Sequence, residues 1–233
     1  MNLMPDENSS TFRSLASDIE KCALCPRLRN HCKETAKKKK REFQDFSYWG
    51  KPVGGFGVSN ARLWIIGLAP AAHGANRTGR MFTGDSSGKW LFGALYRTGF
   101  ANQERSEHRK DGLTLKEAYI SAAARCAPPD NNPTSTELSR CFRYLEAEMK
   151  VLPRKGIILA LGQIAFEAVL KLLGNPRPKP KFTHNKWHQI GGRTVVTSYH
   201  PSRQNTQTGR LTEKMWMELF EGIRAELKRS SRA

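Results

Sequence analysis

Arg62-Leu-Trp-Ile-Ile-Gly67 runs directly into Leu68-Ala-Pro-Ala-Ala-His-Gly-Ala-Asn-Arg-Thr-Gly-Arg-Met-Phe-Thr-Gly-Asp85, and this junction decides the fold. A short apolar run ending on Gly suits a strand buried on both faces. Residues 68–85 are too polar and too rich in Gly to continue it, so they read as a loop leaving the strand's carboxyl end. Asp85 then caps a helix expected over Ser86 to Arg97, with Gly99 as its stop. Working outward, Tyr119 to Cys126 and Gly156 to Leu161 read as two further buried strands. Thr134 and Glu137 have the spacing of a capping box and open a helix to about Lys150. Another helix covers Gly162 to Leu173, closed by Gly174. Trp187 to Ile190 and Arg193 to Ser198 flank Gly191-Gly192 as a hairpin whose second arm joins the main sheet. A first helix is expected from Ser10 to Arg29 and a last one from Leu211 to Lys228. Strands alternating with helices predict an α/β fold with a parallel sheet covered on both faces, and its ligand crevice beyond the strands' carboxyl ends. Three polar loops leave such ends: 68–85, 199–210 and Ala127-Pro-Pro-Asp-Asn-Asn-Pro133.

The 233 residues suit a single domain spanning 1–233, and 39 Lys plus Arg against 21 Asp plus Glu leave a formal charge of +18. That excess asks for a polyanionic partner. No apolar run approaches the ~18 residues of a membrane span. The opening MNLMPDENSSTFRSL is acidic and polar where a secretory leader is basic and then apolar, so a cytoplasmic protein, beside the chromosome, is expected. Lys33 to Arg41 holds six basic residues in nine, and Phe43 to Gly57 holds five aromatics and five glycines or prolines. Residues 33–57 therefore read as a basic, aromatic, Gly-rich loop, either a contact surface or a solvated charge run.

Five cysteines in an intracellular chain suggest free thiols or metal ligands. Cys22 and Cys25 form a C-x2-C, and Cys126 and Cys141 a wider pair. From spacing alone, buried apolar thiols, zinc and an iron–sulfur cluster all remain open. Cys32 stands apart as the spare thiol.

The stretch from Gly67 to Asp85, together with His200-Pro-Ser-Arg-Gln-Asn-Thr-Gln-Thr-Gly-Arg210, resembles the signature segments of family-five, or type b, uracil-DNA glycosylases of the uracil-DNA glycosylase superfamily. The resemblance runs from Cys22 through Thr208. It implies a three-layer α/β/α sandwich around a short, mainly parallel central sheet. It also implies a [4Fe-4S] cluster on Cys22, Cys25, Cys126 and Cys141. Ala69 stands where other glycosylase families place a catalytic Asp or Asn. By the same resemblance Ala69, Pro70, Ala71 and His73 belong to the substrate pocket, Phe82 stacks on the extruded base, and Asn131 is the pocket asparagine, with Asn132 as the other register. His200 matches the second-motif histidine. Asn76 falls where some members carry Asp.

The implied activity is hydrolysis of the N-glycosidic bond of uracil, and of other deaminated bases such as hypoxanthine, flipped from double-stranded DNA by a monomeric, monofunctional enzyme that initiates base excision repair. Such an enzyme must grip phosphates, wedge the base stack and receive the base in a pocket. Ser202, Arg203, Gln204 and Asn205 are the candidates for entering the minor groove. His200 is assigned hydrogen-bond donation to the departing base, Asn76 the positioning of water, and Asp85 only the helix cap. The missing carboxylate at Ala69 leaves a noncatalytic iron–sulfur nucleic-acid-binding protein as the alternative. A zinc-dependent deaminase is set aside, because its H-x-E and P-C-x-x-C signature is absent.

Overall fold

The computed structural model describes residues 7–231; the first residues of the polar amino-terminal segment lie outside them. Six strands form one sheet in the order β1-β3-β2-β4-β6-β5. β2 (Leu63–Gly67), β3 (Ala118–Ala122), β4 (Ile157–Leu161) and β6 (Arg193–Ser198) are parallel, while β1 (Phe56–Gly57) and β5 (Lys186–Ile190) run antiparallel along the two edges. The mainly parallel sheet and the hairpin feeding it match the expectation.

Side chains alternate across a strand, and this sorts the core into two layers. Leu63, Ile65, Ile120, Leu159 and Val196 face α4 (Ser86–Arg97) and α8 (Glu213–Arg229). Trp64, Ile66, Ile158, Ala160 and Val195 face α5 (Ser135–Val151) and α6 (Gln163–Leu172). Each such side chain contributes ~1.5–3 kcal/mol by leaving water. The result is the α/β/α sandwich. Asp85 accepts from the Gly88 amide as the cap of α4, and Thr134 with Glu137 forms a complete capping box on α5.

Several expectations need correction. The first helix is two, α1 (Glu7–Lys21) and α2 (Pro26–Lys38), broken at the C-x2-C, where Pro26 starts the second. The basic run is not a loop as far as Lys38: Leu28, Cys32 and Thr35 give α2 a buried stripe, and the lysines occupy its other faces. The loop proper begins at Lys39 and includes a 3-10 turn over Arg41–Phe43. β3 ends at Ala122, so Cys126 lies beyond the strand. Two short helices, α3 (Ala75–Thr78) and α7 (Arg203–Gln207), lie within loops read as irregular.

Two ion pairs brace the loops around the sheet ends. Arg80 makes a bidentate contact to Asp111 at 2.8 and 2.6 Å and also donates to Thr83 and Ser106. Burial acts to raise the Asp111 pKa, but Arg80 and backbone amides of Leu113 and Glu107 overcome it and hold the carboxyl far below the usual range. Deeper in, Arg125 donates to Glu148 at 2.7 Å, and Glu148 accepts from the Tyr119 hydroxyl at 3.0 Å. This triad ties the exit of β3 to α5. Among the described residues no helix is long and apolar enough to cross a membrane.

Candidate active site

The carboxyl ends of all four parallel strands open into one cavity of about 800 Å³. Leu68, Ala69, Ala71, Ala72, His73 and Gly74 enter after β2, Asp130 and Asn131 after β3, Gly162 to Ala165 after β4, and His200 with Ser202, Arg203 and Gln204 after β6. Lys40, Glu42 and Phe43 from the 39–57 loop complete the wall.

His200 is the central side chain. Its ring stacks on Phe82, with centroids 5.7 Å apart and planes 25° from parallel. Burial alone pushes its pKa down from 6.5 to about 4, so the imidazole is neutral at physiological pH. Its carbonyl accepts from the Ser202 amide and the Asn205 side chain, each at 2.8 Å, which fixes the turn that presents the ring. Across the cavity wall, His73 Nδ1 stands 2.9 Å from the Tyr48 hydroxyl. Burial, with Lys40 nearby, lowers the His73 pKa as well.

Of the residues singled out from the sequence, Ala69, Ala71, His73, Asn131, His200, Ser202, Arg203 and Gln204 line the cavity, and Pro70, Asn76, Phe82 and Asn205 do not. Asn76 is fully buried, and its amide donates to the carbonyls of Cys32 and Ala72 at 3.3 Å. Its amide nitrogen joins α2 to α3, while its Oδ1 is buried without a hydrogen-bond partner among the described residues. Phe82 is 8% exposed and belongs to the core on the α4 and α8 side of the sheet. It adopts φ 53°, a left-handed conformation rare for a bulky residue, and Gly67 makes room for its ring, since a Cβ there would lie 3.0 Å from it. Its ring stacks on the His200 imidazole. The Asn205 amide donates to the His200 carbonyl.

Sequence reasoning missed the cavity role of Asp85. One of its oxygens caps α4, and the other lies so close to Gly74 that a Cβ there would stand 2.1 Å from it. The carboxyl borders the cavity, yet protein surrounds it densely enough that desolvation raises its pKa. The spacing Gly74-x10-Asp85 holds no signal for that approach. α6 presents its amino terminus to the cavity without a side-chain cap, leaving its first amides free to face an anion.

Cys25 and Cys126 share a buried cluster with Cys32, and Cys141 on α5 is buried as well. Arg140 hydrogen-bonds Cys25, Arg29 hydrogen-bonds Cys126, and the Arg125 amide donates to Cys141. Burial pushes the Cys141 thiol up to about 11, and the Cys25 thiol also up. Cys22 contacts the Tyr144 hydroxyl on α5. Among the described residues no three potential ligands converge closely enough for a single metal ion. A four-iron cluster sets each thiolate on a different iron and so spaces its ligands more widely. Thiols from the α1–α2 junction, the loop after β3 and α5, ringed by arginine donors, fit such an anionic group. Cys32 is not spare in the expected sense, because it is buried and its thiol bonds the Ala127 carbonyl and Cys126.

An α/β/α sandwich with a polar, histidine-bearing cavity at its strand ends is the architecture of a base-excising enzyme, and the chain belongs to the uracil DNA glycosylase superfamily, which it matches over residues 55–224. It is 47% identical over 200 residues to the type-5 uracil-DNA glycosylase of Thermus thermophilus, covering 85% of this chain and 90% of that protein. To the type-5 uracil-DNA glycosylase of Mycobacterium leprae it is 47% identical over 215 residues, 91% and 94% of the two chains. The corresponding enzyme of Pyrobaculum aerophilum is 43% identical over 215 residues, 92% and 93% of each.

Proposed function

We propose that this chain is a monofunctional uracil-DNA glycosylase, acting as one catalytic domain and as a monomer on uracil flipped from double-stranded DNA, and initiating base excision repair beside the chromosome. It is a hydrolase of N-glycosyl bonds. The observation that carries the reading is the cavity of about 800 Å³ in which a neutral His200, a half-buried Asp85 and the uncapped start of α6 meet.

Cleavage sends the electron pair of the C1′–N1 bond to the base and leaves oxocarbenium character on the sugar; water then bonds to C1′ and its released proton is matched by the one the base anion takes up, so that abasic sugar and base both leave neutral. His200, neutral, donates a hydrogen bond to a base carbonyl as charge grows there. The α6 amides add positive potential on the same side. His73 supports the same charge in the tautomer whose Nδ1 accepts from Tyr48, since its other nitrogen then carries a proton to donate. Asp85 replaces Asn76 as the group that orients water, because it borders the cavity and Asn76 does not. Arg203 and Gln204, exposed at the rim, contact the DNA strand beside the extruded nucleotide. The alanine floor at 69, 71 and 72 leaves room for hypoxanthine.

Cys22, Cys25, Cys126 and Cys141 hold a [4Fe-4S] cluster, which pins the α1–α2 junction to α5 and takes no part in the hydrolysis. The assay is a duplex with one uracil, followed by alkaline cleavage of the abasic site. Strand scission at uracil supports the reading, whereas binding without scission supports the noncatalytic alternative. A hypoxanthine duplex under the same conditions tests the wider pocket.

A further inference from the structure

Arg125 is 1% exposed and Glu148 is 0% exposed, and the pair sits directly beside Cys126 and Cys141. One guanidinium nitrogen, Nη2, is satisfied by Glu148. The other two, Nε and Nη1, have no hydrogen-bond partner among the described residues. A buried cation with idle donors is an anomaly that asks for an acceptor. Arginine is a costly choice if the task were only to pair with Glu148, since its charge must be desolvated as well. Arg125 also sends its backbone amide to the Cys141 sulfur, and its carbonyl accepts from the Val53 amide, so its chain is fixed on the thiol side of the sheet end. Arg29 and Arg140 approach Cys126 and Cys25 from outer positions. Arg125 is the one that approaches from inside the core.

We propose that Arg125 is the internal counter-charge of the iron–sulfur cluster, its idle Nε and Nη1 hydrogens donating to cluster or thiolate sulfur while Glu148 and Tyr119 hold the guanidinium in place. The inference rests on the cluster reading given above. Hydrogen bonds to sulfur and nearby positive charge set an iron–sulfur group's reduction potential, and partners of the ligands govern how tightly metal is kept. Arg125 is thus a positioning residue whose loss is read at the iron before it is read in uracil release.

The test compares the iron-loaded wild type with Arg125→Met/Glu148→Gln, which removes the pair without leaving a lone buried charge. Arg125→Lys serves as the conservative variant. The double variant should show a more negative midpoint potential and roughly ten- to a hundredfold faster iron release to a ferrous chelator. Arg125→Lys should fall between it and wild type. An unchanged potential and release rate in the double variant, with iron bound, would overturn the role of Arg125 and leave the cluster reading standing. Wild type carrying zinc or no metal would overturn the cluster reading and the role together. Should the double variant fail to fold, Arg125→Lys decides: a shifted potential supports the role, and wild-type values refute it.

Discussion

His200→Ala isolates how the departing base is stabilised. The ring is buried against Phe82 and its pKa is pushed from 6.5 to about 4, so between pH 5 and 9 it is a neutral donor and not an acid. One donor placed for a developing anion is worth ~2.7–4 kcal/mol, which corresponds to roughly a hundred- to a thousandfold in rate. Single-turnover release of uracil from a duplex is the assay, because slow product release cannot mask the chemical step. The wild-type rate should show no limb near pH 6.5, and the variant should fall by that factor at every pH. A limb near 6.5 that disappears in the variant would refute the reasoning, since it would mean that the ring changes charge during normal work. Stability supplies a second reading. The folded pKa lies below the unfolded one, so the unfolded chain takes up the proton first and stability falls as pH drops from about 6.5 to about 4. At ~1.36 kcal/mol per pKa unit the loss is about 3 kcal/mol. Urea midpoints should record it in wild type and miss it in the variant.

Asn76→Ala should lower the unfolding free energy from urea titration by ~1–3 kcal/mol, the loss of two buried hydrogen bonds, while leaving single-turnover cleavage within a few-fold of wild type; a larger rate effect would return Asn76 to the chemistry. Phe82→Ala should cost ~3–5 kcal/mol of stability as a core truncation, and Phe82→Leu, which keeps most of the volume, should fold but cleave more slowly because His200 loses its stacked face. Asp111→Asn should cost ~3–5 kcal/mol, the effect of stranding Arg80. Because the Asp111 pKa is depressed, its stabilisation in wild type is present above the ordinary carboxylate range and fades as pH falls below it, and an acid titration of both proteins checks this sign.

The strands were readable because β2 and β4 are short apolar runs with no polar position, and β3 is interrupted only by Ser121. The caps at Asp85 and Thr134 were readable because their side chains act within three residues. The break between α1 and α2 was not, since Cys22 to Pro26 interrupts a pattern that otherwise continues with helical spacing. α2 was hidden by its own lysines: a charge run suggests a loop, although lysine is a good helix former and Leu28, Cys32 and Thr35 carry the stripe. At the site, residues in the two motif loops were legible because resemblance fixed them. Asn76 looked exposed within a polar loop, and only the three-dimensional approach of Cys32 and Ala72 shows where its amide goes. Asp85 looked complete as a cap, since nothing in one dimension brings Gly74 under its second oxygen.

The lysines of α2 lead, through Lys40, to the very rim of the cavity. Contacts between such side chains and phosphates carry no sequence information and let a protein slide along a duplex. A lysine face that held the DNA would therefore also be the surface over which it travels. The time spent at each base pair is set by charge and salt, and the cavity must recognise its target within that interval. Removing lysines would shorten the visit and adding them would slow the patrol, so on that footing a net charge of +18 would act as a clock on inspection as much as a grip.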